Sequence, residues 1–301
     1  MKHITILFFV VLLVFTSCSQ QNSFTTEAGT TVTYLVKGSG DLPVDSLVSL
    51  FNLKYSTEDG KVIKEADSDN PIPLKINTED AAKNGELYVV LSKLKTGDSV
   101  NFGLVAKDLF AQTFRAPLPD SIAPESKIQF QVNYLEQVTE EGYYDMMAEK
   151  QKKLDEKQLN IDLEILDGYL TENNIETQKT ESGLRYVITK EGSGANAEKG
   201  QIVKVNYAGK LLDGPYFDTS IEGVAKEQGL YQEGRPYEPL AFELGQGRVI
   251  KGWDEGIALL NPGSEATLYI PSTLAYGSRS AGPIIKENSI LVFDVELVGV
   301  E

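Results

Sequence analysis

Cysteine and histidine are almost absent from this chain. Among its 301 residues there is one cysteine, Cys18, and one histidine, His3. Both lie at or before the point where the leader described below would be removed, so we expect the mature protein to contain no disulfide, thiol nucleophile or imidazole. These absences exclude Ser-His-Asp and Cys-His catalysis and ordinary zinc sites, and we expect neither a metal nor a cofactor. Catalysis by carboxylates or by a Ser-Lys pair stays open.

Basic residues are also few compared with acidic ones. The sequence has 28 Lys and Arg against 44 Asp and Glu, which gives a formal net charge of −16 at pH 7. This balance argues against a nucleic-acid partner, because phosphates require surfaces rich in Lys and Arg. Hydrophobic residues make up 41% of the chain and charged residues 24%, so sizeable cores are possible. The length suggests about two domains.

The amino-terminal residues are typical of an export signal. Lys2 gives a basic start, and residues 4–15 form an apolar run that is too short to span a membrane. The sequence FTSC at 15–18 resembles a bacterial lipobox, which predicts a signal peptide at 1–17, a lipid on Cys18 and a lipid-anchored tether at 18–24. We therefore expect a cell envelope lipoprotein on the periplasmic side, with Ser19 favouring the outer membrane. The alternative is an ordinary signal peptide with an incidental cysteine.

The single tryptophan, Trp253, lies in the most distinctive stretch of the chain. Trp253, Ile257 and Leu260 follow helical spacing, so they share one face of a short helix. The alternating apolar residues at 266–270 then predict a strand. This arrangement would put Trp253 at the base of an apolar concavity, although a plain core position is the alternative for any tryptophan.

Further motifs surround this stretch in a fixed order. They are VKVNYAG at 203–209, GPYFD at 214–218, VIKGWDEGI at 249–257, LAYG at 274–277, GPII at 282–285 and ILVFDVEL at 290–297. Their order and spacing resemble an FKBP-type peptidyl-prolyl isomerase over residues 183–301. The resemblance implies an α+β fold in which an antiparallel sheet wraps on a short helix, and an isomerase domain at 179–301.

The resemblance also implies roles for individual residues. Trp253 would form the floor under a substrate proline, and Asp218 would make polar contact near the twisting amide. The backbone N–H of Ile250 and the hydroxyl of Tyr276 would bind substrate carbonyl groups. The remaining substrate-binding residues would form walls or an overhanging loop: Tyr207, Phe217, Leu240, Val249, Ile284, Ile285 and Phe293. Ile250 would also contribute to a wall.

Several positions depart from the family pattern. Ala281 lies where many members have histidine, and Lys286-Glu287 replaces a common Pro-Pro pair. The segment at 219–239 is about a dozen residues longer than in minimal members of the family that the sequence resembles. An arginine often found there has no secure counterpart, and Arg235 is only a weak candidate for it. Asp254 and Glu255 are expected on an exposed helix start, without the pairing that acid-base hydrolysis would need.

Residues 25–138 form a second unit that parallels the first. The run LKTGDSVNFGL at 94–104 matches LNPGSEATLYI at 260–270, and at the same offset Leu87 corresponds to Trp253. Lys64 falls where Asp218 would. We infer an internal repeat, a degenerate FKBP-like domain with an inactive pocket, so that the chain would hold two such domains joined by a helix. An independent α+β origin is the alternative.

The joining segment at 139–178 is predicted to be helical. Met147, Leu154, Ile161 and Ile165 recur at spacings of seven, seven and four, which is typical of an amphipathic helix. We interpret it as an interdomain arm and keep a dimerisation element as the alternative. The oligomeric state therefore stays open.

The sequence supports three functions. The first is a peptidyl-prolyl isomerase that acts on X-Pro bonds of exported proteins, with proline-containing polypeptides as partners and an N-terminal lipid in the membrane. The second is a periplasmic client-binding chaperone with weak or no isomerase activity. The third is a structural lipoprotein that links the membrane to a partner.

Overall fold

The computed structural model of the chain describes residues 22–66 and 68–301. The expected signal peptide, the lipidation site Cys18 and the tether up to position 21 lie outside the described residues. The chain divides into two compact units between Met147 and Ala148. Within the two described ranges, none of the helices combines the length and apolarity that a membrane crossing requires.

The first unit is built on a seven-stranded antiparallel sheet. Its elements are β1 (Ser23–Thr25), β2 (Thr31–Val36), β3 (Val48–Ser56), β4 (Val62–Glu65), β5 (Ile72–Leu74), α1 (Glu86–Leu91), β6 (Ser99–Val105), α2 (Ala106–Asp108) and β7 (Lys127–Val138). A 3₁₀ turn at Ala81–Asn84 precedes α1, and a π-helical segment at Leu109–Phe114 continues α2. The strand order is β1-β2-β6-β7-β3-β4, and β5 also pairs with β3. Because β1 begins at Ser23, two residues of the expected tether belong to this sheet.

The second unit has another seven-stranded antiparallel sheet. Helix α3 (Glu140–Glu172) leads into β8 (Gln178–Lys179), β9 (Arg185–Lys190), β10 (Ile202–Leu211), β11 (Tyr216–Thr219), α4 (Glu222–Glu227), β12 (Leu240–Glu243), α5 (Lys251–Ile257), β13 (Glu265–Ile270) and β14 (Leu291–Val300). A 3₁₀ turn at Ser272–Leu274 follows β13. The strand order is β8-β9-β13-β14-β10-β11, and β12 also pairs with β10.

The two sheets have the same topology, strand for strand. Their register shifts also correspond, after Leu50 and Tyr55 in the first sheet and after Lys204 and Gly209 in the second. The short helices α1 and α5 occupy equivalent places and contribute buried side chains to the two main cores. The expectation of an α+β fold with two like domains, each an antiparallel sheet with a short helix, and a helix between them in the chain is therefore confirmed.

Alternation in the long strands explains both cores. In β7 the alternating buried side chains are Ile128, Phe130, Val132 and Tyr134, and in β14 they are Leu291, Phe293, Val295 and Leu297. Side chains two residues apart point to the same face of a strand, so each strand covers one helix with a continuous apolar row. The sequence therefore determined which face of these strands forms the core.

Helix α3 buries a different face from the apolar stripe that its sequence suggested. The side chains of that stripe, Met147, Leu154, Ile161 and Ile165, are exposed. Asp162, Leu166 and Leu170 are buried instead, and the two leucines pack in a core cluster with Tyr269, Ile290 and Val292. Periodicity locates the apolar positions on a helix. The face that α3 buries also includes the polar Asp162, so hydrophobicity alone does not identify that face.

The packing of α3 predicts a contrast between two adjacent residues. Leu166→Ala should lower the free energy of unfolding of the second unit by about 2–5 kcal/mol, because Leu166 is fully buried. Ile165→Ala is the matched control, since 53% of the Ile165 side chain is exposed. Urea unfolding followed by the fluorescence of Trp253, the only tryptophan in the chain, reports on this unit. Equal destabilisation by both variants would contradict the packing described here.

Candidate functional site

Trp253 forms the floor of the candidate site. Helix α5 carries it, and 3% of its side chain is exposed. The helix lies close against β13 because it has glycine at the two contact positions. A Cβ on Gly252 would lie 2.5 Å from Ile270, and one on Gly256 would lie 2.6 Å from Leu268. The two glycines therefore let the helix lie near enough to the sheet to place Trp253 within the core.

Aromatic rings surround the indole edge-on. The ring centroids of Tyr207 and Phe293 each lie 5.2 Å from that of Trp253, with interplanar angles of 76° and 84°. Phe217 packs edge-on against Phe293 at 5.5 Å. Such edge-to-face pairs contribute about 0.5–1.5 kcal/mol each beyond the area that they bury. The result is a rigid apolar wall made from β10, β11 and β14.

Gly209 is the residue that lets these rings converge. It lies opposite both Phe293 and Asp218 in the sheet register. A Cβ at this position would lie 2.6 Å from the ring of Phe293 and 2.8 Å from that of Phe217. The wall therefore depends on the absence of a side chain at position 209.

Asp218 forms the polar edge of the site. Tyr207 donates its hydroxyl hydrogen to Asp218 Oδ2 at 2.6 Å, and the backbone N–H of Thr219 donates to Oδ1 at 2.9 Å. Arg235 Nη2 makes an ion pair with Oδ1 at 2.8 Å. Sequence analysis gave Arg235 only as a weak candidate, and the structure places it directly on Asp218. The carboxylate is thus fixed by groups from three segments of the chain.

Aromatic side chains of the segment 219–239 hold Arg235 in place. The guanidinium lies 5.4 Å from the ring centroid of Tyr237, and that ring stacks on Tyr231 at 5.8 Å. Arg235 also donates a hydrogen bond to the carbonyl oxygen of Thr219 at 3.2 Å. The lengthened segment therefore contributes a side chain to the polar edge and does not only border the site.

The other residues that sequence analysis nominated lie around this centre. Val249 and Ile250 pack against the core just before α5, with Ile250 at the N-cap position. Ile285 is buried, Ile284 is partly exposed, and Leu240 and Tyr276 are exposed. Ala281 and Ile285 form an isolated bridge in the overhanging loop. These positions suit a rim around Trp253, while the binding roles stay predictions.

Sequence analysis missed Phe242. Its ring lies 5.9 Å from that of Trp253 and 8% of the side chain is exposed. Leu240, two residues earlier on β12, was nominated instead, and its side chain is 41% exposed. Alternation along β12 puts both residues on one face, and this signal would have nominated Phe242 together with Leu240.

The expectation for Asp254 and Glu255 needs a correction. Asp254 accepts hydrogen bonds from the backbone N–H groups of Gly245 and Gly247 at 2.8 and 3.0 Å. Glu255 accepts one from the hydroxyl of Ser182 at 2.6 Å. Both carboxylates are partly buried and hold loops in place, so they do not mark an exposed helix start. Within the described ranges, no three ligating side chains come close enough together to hold a metal ion.

The corresponding place in the first unit is filled. Tyr55 lies opposite Phe130 and Lys64 in the sheet, the register position that Gly209 has in the second unit. The Tyr55 ring stacks on Phe130 at 5.3 Å and contacts Phe114 at 5.6 Å. A phenol therefore occupies the space that the glycine leaves open, which gives a physical reason to expect an inactive pocket in the repeat.

The indole N–H of Trp253 has no hydrogen-bond partner in the described part of the chain. Among the residues that the structure describes, Trp253 Nε1 and Asn52 Oδ1 are the buried side-chain atoms without a hydrogen bond. An unpaired buried polar group costs about 1–3 kcal/mol and is uncommon in native proteins. At the floor of the site, the packing of rings around the indole therefore outweighs the cost of leaving its N–H without a hydrogen bond.

Comparison with known proteins gives a family match that lies within the second unit. A family model described as FKBP-type peptidyl-prolyl cis-trans isomerase matches residues 194–298. The chain is 40% identical over 173 residues to a protein of Neisseria meningitidis named probable FKBP-type peptidyl-prolyl cis-trans isomerase FkpA, which covers 56% of this chain and 58% of the relative. It is 44% identical over 124 residues to FkpA of Aeromonas hydrophila, which covers 41% of this chain and 40% of the relative.

A shorter relative is covered almost completely. The chain is 42% identical over 120 residues to FK506-binding protein 1A of Neurospora crassa, which covers 40% of this chain and 89% of the relative. In contrast, the chain spans between two fifths and three fifths of the length of the two bacterial relatives. The likeness thus extends over most of the shorter relative and over part of the longer ones.

The hydrogen bond between Tyr207 and Asp218 predicts a change in the pKa of Tyr207. Burial first, and then the hydrogen bond and negative charge of Asp218, raise the pKa of the Tyr207 hydroxyl well above its usual value. Asp218→Asn removes the charge, so the pKa of Tyr207 should fall, although burial should keep it above the usual value. A ¹³C-tyrosine NMR titration, assigned with Tyr207→Phe, measures this shift.

Tyr269 is the matched control for this titration. Burial raises the pKa of its hydroxyl, and Asp218 is not among the groups that perturb it. Its titration should be the same in the parent chain and in Asp218→Asn. An unchanged pKa of Tyr207 in the variant would show that the hydrogen bond is not formed in solution.

Proposed function

Because this chain belongs to the FKBP-type peptidyl-prolyl cis-trans isomerase family, we propose that its second unit catalyses rotation about X-Pro peptide bonds. The observation that carries the proposal is the buried aromatic floor and wall around Trp253 with one oriented carboxylate, Asp218, at its edge. The reaction makes and breaks no covalent bond, so it requires neither a nucleophile nor a metal.

The pocket can lower the barrier through its polarity. Unaided rotation faces a barrier of about 18–20 kcal/mol, because the planar amide is stabilised by resonance. The twisted amide loses that resonance and the charge separation that comes with it. An apolar, water-free surface disfavours the planar state more than the twisted one, so it binds the transition state preferentially. Trp253, Tyr207, Phe217 and Phe293 supply such a surface.

The groups at the rim would orient the substrate. In this proposal the proline ring lies on Trp253, and the backbone N–H of Ile250 and the hydroxyl of Tyr276 donate hydrogen bonds to substrate carbonyl oxygens. Asp218 acts through its fixed charge near the twisting bond, since Tyr207 and Arg235 already hold both of its oxygens. Proton transfer by Asp218 is not part of the mechanism.

The biological setting is a further part of the proposal. The apolar leader at 4–15 and the lipobox ending at Cys18 support export and lipid anchoring. We therefore propose proline-containing polypeptides of the cell envelope, exported and still folding, as substrates, with the protein on the periplasmic side and attached to the outer membrane. Its net charge of −16 argues against a nucleic-acid partner.

A second candidate function is client binding by the first unit. That unit exposes four large apolar side chains near the start of its fold, Leu35, Val36, Leu42 and Val44. The four residues lie within ten positions of the sequence, and exposed apolar surface is typical of interaction sites where it is contiguous. If they hold unfolded clients, Val36→Ser with Leu42→Ser should reduce the suppression of client aggregation by the whole chain and leave peptide isomerisation unchanged.

Filling the space at Gly209 tests the isomerase proposal. Gly209→Ala should reduce kcat/KM for a short X-Pro peptide about tenfold or more, because overpacking must displace the rings of Phe217 and Phe293. Gly299→Ala is the matched control, because it lies in β14 with open space around the added methyl group. Two-dimensional NMR exchange on the peptide measures the rate without a helper protease.

Asp218→Asn provides a variant that keeps the pocket shape. It should also lower kcat/KM, while Lys64→Ala at the equivalent position of the first unit should leave the rate unchanged. Circular dichroism confirms that each variant is folded. A folded parent chain that does not accelerate exchange would refute the proposed activity, and an active Gly209→Ala variant would refute its assignment to this pocket.

A further inference from the structure

We propose that Asp162, on helix α3, is a positioning residue for the isomerase site, because it holds the turn that carries Tyr276. The inference rests on the isomerase function proposed above and concerns a residue outside the stretch 194–298 that the family model matches. Asp162 lies far from Tyr276 in sequence, yet it is hydrogen-bonded to Ser272, whose carbonyl oxygen accepts hydrogen bonds from the residues on either side of Tyr276.

Asp162 is a buried carboxylate with specific partners. Only 1% of its side chain is exposed, and Oδ2 accepts two hydrogen bonds from Ser272, one from the backbone N–H at 2.7 Å and one from the hydroxyl at 2.6 Å. Gln158, one turn earlier on α3, donates to Oδ1 at 2.8 Å. Buried carboxylates are costly unless they are hydrogen-bonded, so this arrangement is a built contact between helix and turn.

Ser272, which Asp162 holds in place, is also hydrogen-bonded to the backbone on both sides of Tyr276. Its carbonyl oxygen accepts hydrogen bonds from the N–H groups of Ala275 at 2.9 Å and Gly277 at 2.8 Å. The carbonyl oxygen of Gly277 in turn accepts one from Asn288 at 2.8 Å, which joins the turn to the overhanging loop. Gly277 has a φ of +59°, a left-handed conformation that suits glycine at this tight turn.

Tyr276 depends on this backbone because its side chain has little support. Its side chain is 38% exposed, and it is not among the residues packed against the core cluster around Trp253. A side chain with few packing contacts is located mainly by its Cα position. Losing the anchor at Ser272 would therefore displace the Tyr276 hydroxyl, and small displacements of a binding group reduce rates substantially.

Helix α3 is firmly attached at this end, so it can serve as the fixed reference. Leu166 and Leu170 are buried, and Arg185 makes two hydrogen bonds to Asp167 at 3.1 and 3.2 Å. Asp167 offers a matched control. Its ion pair with Arg185 also joins α3 to the sheet, but Asp167 makes no hydrogen bond to the turn at 272–277.

A double-mutant cycle on the whole chain tests the inference. Asp162→Ala and Tyr276→Phe should each lower kcat/KM for an X-Pro peptide about three- to tenfold, the worth of one or two hydrogen bonds. The double variant should lose little more than either single one, because the two residues act through one contact. Asp162→Asn keeps an acceptor oxygen for Ser272 and should restore most of the rate.

A structural readout separates positioning from general stability. Asp162→Ala should shift the backbone amide NMR signals of Ala275, Tyr276 and Gly277, whereas Asp167→Ala should leave both these signals and kcat/KM unchanged. All rates are measured where the fluorescence of Trp253 shows each variant to be folded.

The outcomes are distinguishable. An inactive parent chain overturns the isomerase proposal and this inference with it. An active parent chain overturns the inference alone if Asp162→Ala keeps full activity, if the two losses add, or if Asp162→Asn is as impaired as Asp162→Ala.

Discussion

The close approach of aromatic rings over Gly209 is the constraint on which the site depends. The missing side chain leaves room for Phe217 and Phe293 to meet, and these rings with Tyr207 enclose the indole of Trp253. The first unit has the same strand order and the same register shifts, but it has Tyr55 at this position. Two units with one topology therefore differ at the position where the rings of the second unit converge, which is a glycine in one central strand and a tyrosine in the other.

The apolar and polar parts of the site are built in different ways. The aromatic wall comes from the sheet itself and from α5, so it forms whenever the second unit folds. The polar groups depend on additions to that core: Arg235 comes from the long segment after β11, and the turn before Tyr276 is anchored to helix α3. A half-exposed ion pair such as Arg235–Asp218 contributes about 0–1 kcal/mol to stability, so its main effect is to orient the carboxylate.

The core and the shared topology can be predicted from the sequence, but the long-range contacts cannot. Alternation in β14 and helical spacing around Trp253 predict the core, and a constant offset between the two halves predicts the shared topology. The buried face of α3 was not predictable, because Asp162 is charged and its partner Ser272 is distant in sequence. The contact between Arg235 and Asp218 was equally hidden, since it depends on the path of a long loop and not on spacing.

The central claim is that a substrate proline lies on Trp253, and its indole N–H provides the most direct probe. The chain has one tryptophan, so a ¹⁵N-labelled sample gives one indole signal. We expect an X-Pro peptide to shift or broaden this signal, and the same peptide with alanine in place of proline to leave it unchanged. An indole signal that stays unchanged at peptide concentrations where prolyl exchange is catalysed would contradict the account, because the chemistry would then occur elsewhere.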